Sequence, residues 1–395
     1  MSRIAVRVTG AFDGRAMIPG GALVLCDGGR IAGVLPGGAP APDGWPVDEF
    51  PGGTVLPGLI DCHVHLCGDS RSGALDRLAG YTDDELSGVI EAALRAQLAA
   101  GVTTVRDLGD RRGAVLDWRA RAADSSLPAI VASGPPITTP GGHCWHMGGE
   151  AGDIPALRAA VRDRAERGAD IVKVMASGGL MTAGTDVLAS QYTPDQLRAV
   201  VEAAHSIGLP VTVHAHALPA VLQAVDAGAD GIEHCSCLTE DGVDLAAALL
   251  ERLAANRVTV CPTLGRNVTG PLPPRVAELQ RRTGLTWEDR LVMVGRMHRA
   301  GVVIVSGVDA GVSDAKPHGL LRCAVRDLVA AGVPAASALA SATSVAAAAC
   351  GLADRKGWLR DGYDADLAVV GGDPGADIGA LADVRAVYLR GTRAA

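Results

Sequence analysis

Between residues 54 and 310, short apolar runs alternate with longer amphipathic segments, and this alternation narrows the possible folds more than any other feature. The runs cover residues 54–65, 102–109, 128–134, 170–177, 210–216, 231–235, 258–263 and 302–310. Each is nearly continuous in apolar residues and broken by Gly, Asp or Arg, as strands buried on both faces are. Between them lie segments of helical period such as DELSGVIEAALRAQLAAG, IPALRAAVRDRAERG, TPDQLRAVVEAAHSIG and VDLAAALLERLAAN. Several end in Gly, and one begins Thr-Pro, as helix caps do. Two further helices are expected at 319–331 and 334–350. Strand–helix repetition of this kind builds a parallel sheet, and eight units close it into a (β/α)8 TIM barrel of the α/β class.

The ends of these runs carry the chemistry. His63 and His65 end the first, Lys173 lies on the fourth, His214 on the fifth, His234 on the sixth and Asp309 on the eighth. The C-terminal ends of barrel strands converge on one mouth, so residues far apart in sequence can meet there. In His63-Val64-His65 the period of two projects both imidazoles from one face, where they can chelate one divalent ion. Zinc is the default for imidazole ligands, with manganese or cobalt able to fill the same sites. Lys173 sits in the apolar run IVKVM, where an unpaired ammonium would be unfavourable. Burial lowers a lysine pKa and exposes a nucleophilic amine. Such an amine can take up carbon dioxide as a carbamate, whose two oxygens can bridge two cations. A buried salt bridge is the alternative for Lys173, and a turn role the alternative for Asp309. As a ligand, Asp309 could also accept a proton from the activated water and pass it to a leaving amine.

Cys62 and Cys67 flank the histidine pair, and Cys235 and Cys237 follow His234. They read as small buried side chains rather than ligands. Arg106 and Asp107 end the second run without an assigned role. No cluster of Lys or Arg accompanies the ligands along the sequence, so phosphate esters are not expected as substrates.

Other classes fall away on composition. The net charge of −8 and the lack of a basic stripe argue against nucleic acid. No apolar run reaches the roughly 18–20 residues of a membrane span, and the first residues lack the apolar core of a secretory signal. Nine cysteines, an odd number, suit reduced thiols in the cytoplasm. The expected partner is a small-molecule substrate, with no membrane, and the expected assembly is a homo-oligomer. Both termini read as short strands with Gly-closed turns, which suggests one small β-domain built from 1–56 and 356–395 around a barrel of 57–355.

The motifs LPGLIDCHVH (56–65), VKVMASGG (172–179), TVHAH (212–216), GIEH (231–234), SGVDAG (306–311) and GYDADLAVVGGDP (362–374) together resemble the amidohydrolase superfamily. TTPGGHCWHMGG (138–149) and SQYTPDQL (190–197) resemble its imidazolonepropionase-related branch, which includes metal-dependent Xaa-Pro and Xaa-Arg dipeptidases and ochratoxin-cleaving amidases. The resemblance implies one metal on His63, His65 and Asp309, and a second on His214 and His234. It also implies a carboxylated Lys173 and a hydroxide bridging them, and a β-sandwich formed by the termini. His143 falls where relatives place a residue that can contact the substrate carbonyl. His216, Tyr192 and His146 are pocket candidates. The expected reaction is cleavage of an amide C–N bond in a dipeptide, N-acyl amino acid or similar molecule. Two alternatives stay open: a deaminase or cyclic amide or lactone hydrolase on the same barrel, and a barrel without catalysis. The segment HAHALPAV lacks the Glu that many single-metal deaminases carry after this histidine, which favours amide hydrolysis.

Overall fold

The computed structural model describes residues 3–122, 126–267 and 274–395. Met1 and Ser2, at the head of the expected terminal domain, lie outside the described residues. Eight parallel strands form the barrel: Leu59–Val64, Val102–Asp107, Ala129–Ala132, Val172–Met175, Val211–Ala217, Gly231–Thr239, Thr259–Cys261 and Val303–Ile304. The first three pair in one arc and the last five in another. Backbone bonds join the arcs on both sides. Asp170 N donates to Ala132 O at 2.9 Å, and Ile137 N to Lys173 O at 2.8 Å. On the other side Cys62 N donates to Ser306 O at 3.0 Å, and His65 N to Ala310 O at 2.8 Å.

The flanking helices start where the sequence offers caps. Thr82, Thr193 and Thr286 each form a capping box, with Glu85, Gln196 and Asp289 reaching back to the cap N–H. These open helices Asp83–Ala99, Pro194–His205 and Trp287–Arg299. Their apolar stripes pack on the strands and form one large core with Val105, Val174, Val213, Ile232 and Val260. Among the described residues no helix is long and apolar enough to cross a membrane.

Three expected elements differ. The run 54–65 divides at Gly58 into Val47–Pro57 and the first barrel strand. A side chain at Gly58 would lie 2.1 Å from Thr103 Oγ1, so only glycine lets the strand pass that close. The expected helix 334–350 is two helices, Ala335–Ala340 and Ser344–Ala349. Ser341 and Thr343 bond back to the carbonyls of Ala338 and Leu339, and Ser341 Oγ meets Ser306 Oγ at 2.8 Å. These local bonds compete with the helix and turn the chain against the eighth strand. That strand is regular only at Val303–Ile304, because its continuation bends toward the mouth, where Asp309 has φ +64°.

Outside the barrel, strands from both ends share one hydrogen-bonded path. Its order is Thr392–Arg393, Val384–Leu389, Leu367–Gly371, Val47–Pro57, Ile4–Phe12, Ala22–Asp27 and Arg30–Pro36, with Met17–Ile18 paired to Ile4–Phe12. Alternate residues from both arms meet in one core: Val6, Val8 and Val24 from one arm, Leu367, Val369 and Tyr388 from the other. The opposite face of the C-terminal arm contributes Val370 to the barrel core and sets Val387 against Leu98 of a barrel helix.

Candidate metal centre

Two groups of metal-ligating atoms meet at the C-terminal ends of the strands, each within 4.8 Å. One holds His63, His65 and Asp309; the other holds His214, His216 and His234. The groups adjoin, since the His63 and His234 rings are 5.4 Å apart. His63 Nε2 and His65 Nε2 lie 3.4 and 3.2 Å from the same Asp309 oxygen. In the second group the His216 ring stacks on His234 at 4.3 Å, and His214 stands edge-on to both. His234 and Asp309 have φ of +66° and +64°, a conformation that non-glycine residues hold only when their surroundings enforce it.

Hydrogen bonds from outside select the free nitrogen of each imidazole. Nδ1 of His63 meets Glu233 Oε2, and Nδ1 of His65 meets Gly109 O, each at 2.8 Å. A carboxylate and a carbonyl only accept, so each Nδ1 carries hydrogen and Nε2 keeps its lone pair for a metal. His214 is the reverse: its Nε2 meets Gly178 O at 3.2 Å, which frees Nδ1. Nδ1 of His234 meets the Thr263 hydroxyl at 2.8 Å, and Nδ1 of His216 meets Ser236 Oγ at 2.9 Å.

Lys173 is 1% exposed, and its Nζ has no hydrogen-bond partner. The alternative of a buried salt bridge for this lysine is not what the described residues form. The nearby acids are engaged elsewhere. Glu233 receives His63, Arg106 Nη2 at 2.9 Å and Thr212 Oγ1 at 2.6 Å. Asp309 faces His63 and His65. Burial lowers the Lys173 pKa, with Glu233 and Asp309 opposing it in part.

Burial dominates the other groups as well. It pushes His63 down to about 4, with Lys173 adding to the effect, and takes His214 and His234 well below the ordinary imidazole range. Neutral imidazole is the form that binds a metal. Burial works against the Asp309 and Glu233 carboxylates. Yet His63 and His65 hold Asp309, and Arg106 and His63 hold Glu233, below the usual carboxylate range. A buried, unpartnered amine beside two histidine groups and one retained carboxylate is a donor set that suits two divalent cations and a lysine carbamate.

His143 lies at the same mouth, its ring 4.7 Å from His214 and its Nδ1 3.0 Å from Thr182 Oγ1. A side chain at Gly179 would come within 2.3 Å of His143 Nε2, so the glycine in ASGG makes room for this ring. Tyr192 is placed otherwise: it is buried in the barrel core and its hydroxyl donates to Ala151 O at 2.9 Å. His146 sits on the rim beside exposed Trp145, half-buried and 6.1 Å from that ring. Cys62, Cys67, Cys235 and Cys237 are buried in apolar clusters.

Several functional contacts escaped sequence reasoning. The Arg106–Glu233 pair lies beneath His63, and its only trace in the sequence is a charged residue inside each of two apolar strands. Asp107 accepts from Leu66 N and Gly109 N, bracing the loops that carry His65. The expectation that no cations gather near the ligands is also overturned. Lys316 and Arg290 both act on Asp309, and Arg290 acts on His216. They come from separate elements, so no cluster is visible along the chain.

A sequence model of the amidohydrolase family matches residues 54–393. The chain is 27% identical over 369 residues to an ochratoxinase of Aspergillus niger, covering 84% of this chain and 73% of that one. It is 28% identical to an imidazolonepropionase of Pseudomonas fluorescens, covering 96% and 92%. Its fold is similar to that of a Xaa-Pro dipeptidase with methionine bound in the active site, with a TM-score of 0.86, 26% identity and 99% of each chain covered. The match spans the barrel and the C-terminal strands, and the chain belongs to the amidohydrolase family.

Proposed function

We propose that this hydrolase of carbon–nitrogen bonds is a binuclear metal-dependent amidohydrolase that cleaves an amide bond in a small substrate, a dipeptide or an N-acyl amino acid. The observation that carries the reading is Lys173. Its buried amine has no partner, and it acts on His63 in one ligand group and on His214 and His234 in the other. His63, His65 and Asp309 would hold one cation, His214 and His234 the second, and a Lys173 carbamate would lie between them. Zinc is the default, with manganese and cobalt as substitutes. Bound there, two cations supply Lewis acidity toward a carbonyl oxygen and a water acidified toward neutral pH.

The remaining steps belong to side chains of this chain. Asp309 keeps its carboxylate ionised, so it can accept a proton and return it to the departing nitrogen. The Thr182 hydroxyl accepts from Cys144 N at 3.0 Å, which leaves its own hydrogen for Nδ1 of His143. In that arrangement Nε2 of His143 carries a hydrogen and can donate to the carbonyl oxygen of the substrate. Burial holds His143 near 3, so it acts as a neutral donor rather than as an acid. The likeness to an ochratoxinase and to a Xaa-Pro dipeptidase supports an amide as the scissile group.

The test is a pooled library of dipeptides and N-acyl amino acids, incubated with enzyme loaded with zinc, manganese or cobalt, with free amine followed by mass spectrometry. Amine release from at least one class is expected. If no amide is cut while a cyclic amidine or aminated ring releases ammonia, the deaminase reading takes its place.

A further inference from the structure

Three cations stand together at one side of the mouth. Arg290 Nη2 donates to Pro262 O at 2.6 Å, and Lys316 Nζ donates to Thr263 O at 2.7 Å. Thr263 is also the residue whose hydroxyl meets His234, so the backbone that holds both cations adjoins a contact of a candidate ligand. Arg266, three residues further on, lays its guanidinium 4.2 Å from the centre of the Trp287 ring, and Arg290 lies 5.8 Å from the same ring. Arg266 also lines a cavity of about 430 Å³ together with His318, Arg322 and Arg326.

Apart from Lys173, the buried cations Arg106, Arg164 and Lys356 are paired, with Glu233, Asp163 and Asp366. Among the described residues Arg266, Arg290 and Lys316 form no ion pair with a carboxylate. The Nε atoms of Arg266 and Arg290 are buried and have no hydrogen-bond partner. All three side chains are half-buried. Burial and Arg266 push Arg290 down to about 10; burial pushes Lys316 down to about 8, with Arg290 adding to it and Asp309 opposing. Like charges held this way are unfavourable unless an anion completes them. Asp309 opposes part of this effect on Arg290 and Lys316.

We propose that Arg290, backed by Arg266 and Lys316, forms a subsite for a carboxylate on the substrate, placed between the metal ligands and the arginine-lined cavity. The inference rests on the amide reading for its substrate class, namely dipeptides and N-acyl amino acids with a free carboxylate. The planar guanidinium matches a carboxylate through two donors, which a lysine cannot reproduce.

The test uses the full metal-loaded chain and matched pools: dipeptides with a free C-terminus and the same dipeptides amidated. Turnover is followed as free amine, and binding as the thermal shift produced by N-acetyl amino acids, N-acetyl amino acid amides and inorganic phosphate. Wild type should favour the free acids by on the order of tenfold to a hundredfold, the scale of a hydrogen bond to a charged group. In Arg290→Met that ratio should collapse toward one, and Arg290→Lys should recover only part of it. Lys316→Met should lower the ratio less and provides a second variant should Arg290→Met fold poorly. Equal turnover of both pools by wild type would overturn the subsite while leaving the amide reading intact. If neither pool is cut but N-acetyl amino acids stabilise wild type and not Arg290→Met, the subsite stands and the amide reading falls. A larger shift with phosphate than with the acids, or no shift with either, overturns the carboxylate assignment.

Discussion

Two lysines in this protein are almost fully buried, and the fold treats them in opposite ways. Lys356 packs beside the terminal strands, with Asp366 in hydrogen-bond contact and Asp364 3.3 Å away. Lys173, on the fourth barrel strand, has no partner at its amine. Acids do stand near Lys173, but Glu233 is committed to His63, Arg106 and Thr212, and Asp309 to two histidines. A lysine that serves only the fold is neutralised within the fold. One left unpaired at this depth is unfavourable to stability, and that cost is what supports the proposed carbamate.

Replacing each lysine separates these roles most sharply. Lys173→Met should lower turnover on the order of 10⁴-fold or more, as removal of one member of a cooperating set does. Elemental analysis should show metal content falling below two equivalents. The same change should leave the metal-free protein at least as stable in urea, because an unpaired polar group leaves the interior. Lys356→Met should do the reverse, destabilising by about 3–5 kcal/mol by stranding the buried Asp366 carboxylate, while the protein that remains folded keeps its metals. Equal stability losses in the two variants would break the comparison.

The acids around Lys173 sharpen it further. Asp309→Asn keeps the side-chain shape but cannot take a proton. A loss on the order of 10²–10⁴ in kcat is expected with metals retained, and near-normal turnover would remove Asp309 from proton transfer. Glu233→Gln should act one step back, through His63. Metal affinity should fall on the order of 10–100-fold in a chelator competition, the usual effect of losing a partner that orients a ligand. An unchanged affinity would show that His63 is held without Glu233.

The smallest expected effect is on pH dependence. Burial holds His318 down to about 4, against 6.5 for an exposed histidine, and its Nε2 meets Gly68 O at 3.1 Å. A histidine kept neutral in the fold but free to protonate when unfolded gives stability that is fully present above about 6.5 and lost as pH falls toward 4. The loss is at most about 3.4 kcal/mol, from a fall of 6.5 to about 4 at 1.36 kcal/mol for each unit, and smaller for its partial exposure. Denaturant titrations of wild type and His318→Asn between pH 7 and 4 should converge as pH falls; parallel curves would assign the acid sensitivity to other groups.

The eight strands, several of the helices between them and the candidate ligands at the strand ends were legible in the residues because each depends on local pattern. A continuous apolar run reports burial, Thr-Pro with a following Gln reports a helix start, and the period of two in His63-Val64-His65 reports a shared face. What the tertiary structure alone decided is which side chains meet across the barrel. Arg106 and Glu233 are 127 positions apart, yet their pairing orients His63. His216 joins His214 and His234 because the fifth and sixth strands lie side by side. Tyr192 turns its hydroxyl to Ala151 and into the core, although its neighbours in sequence lead toward the mouth. The break at Ser341–Thr343 meets a serine that lies just past the eighth strand. The cations Arg266, Arg290 and Lys316 come from a loop, a helix and a second loop, and they become a cluster only when the barrel closes. Local patterns fix the direction a side chain takes from its own backbone. What it meets there depends on chain distant in sequence, and that carries no periodic signal.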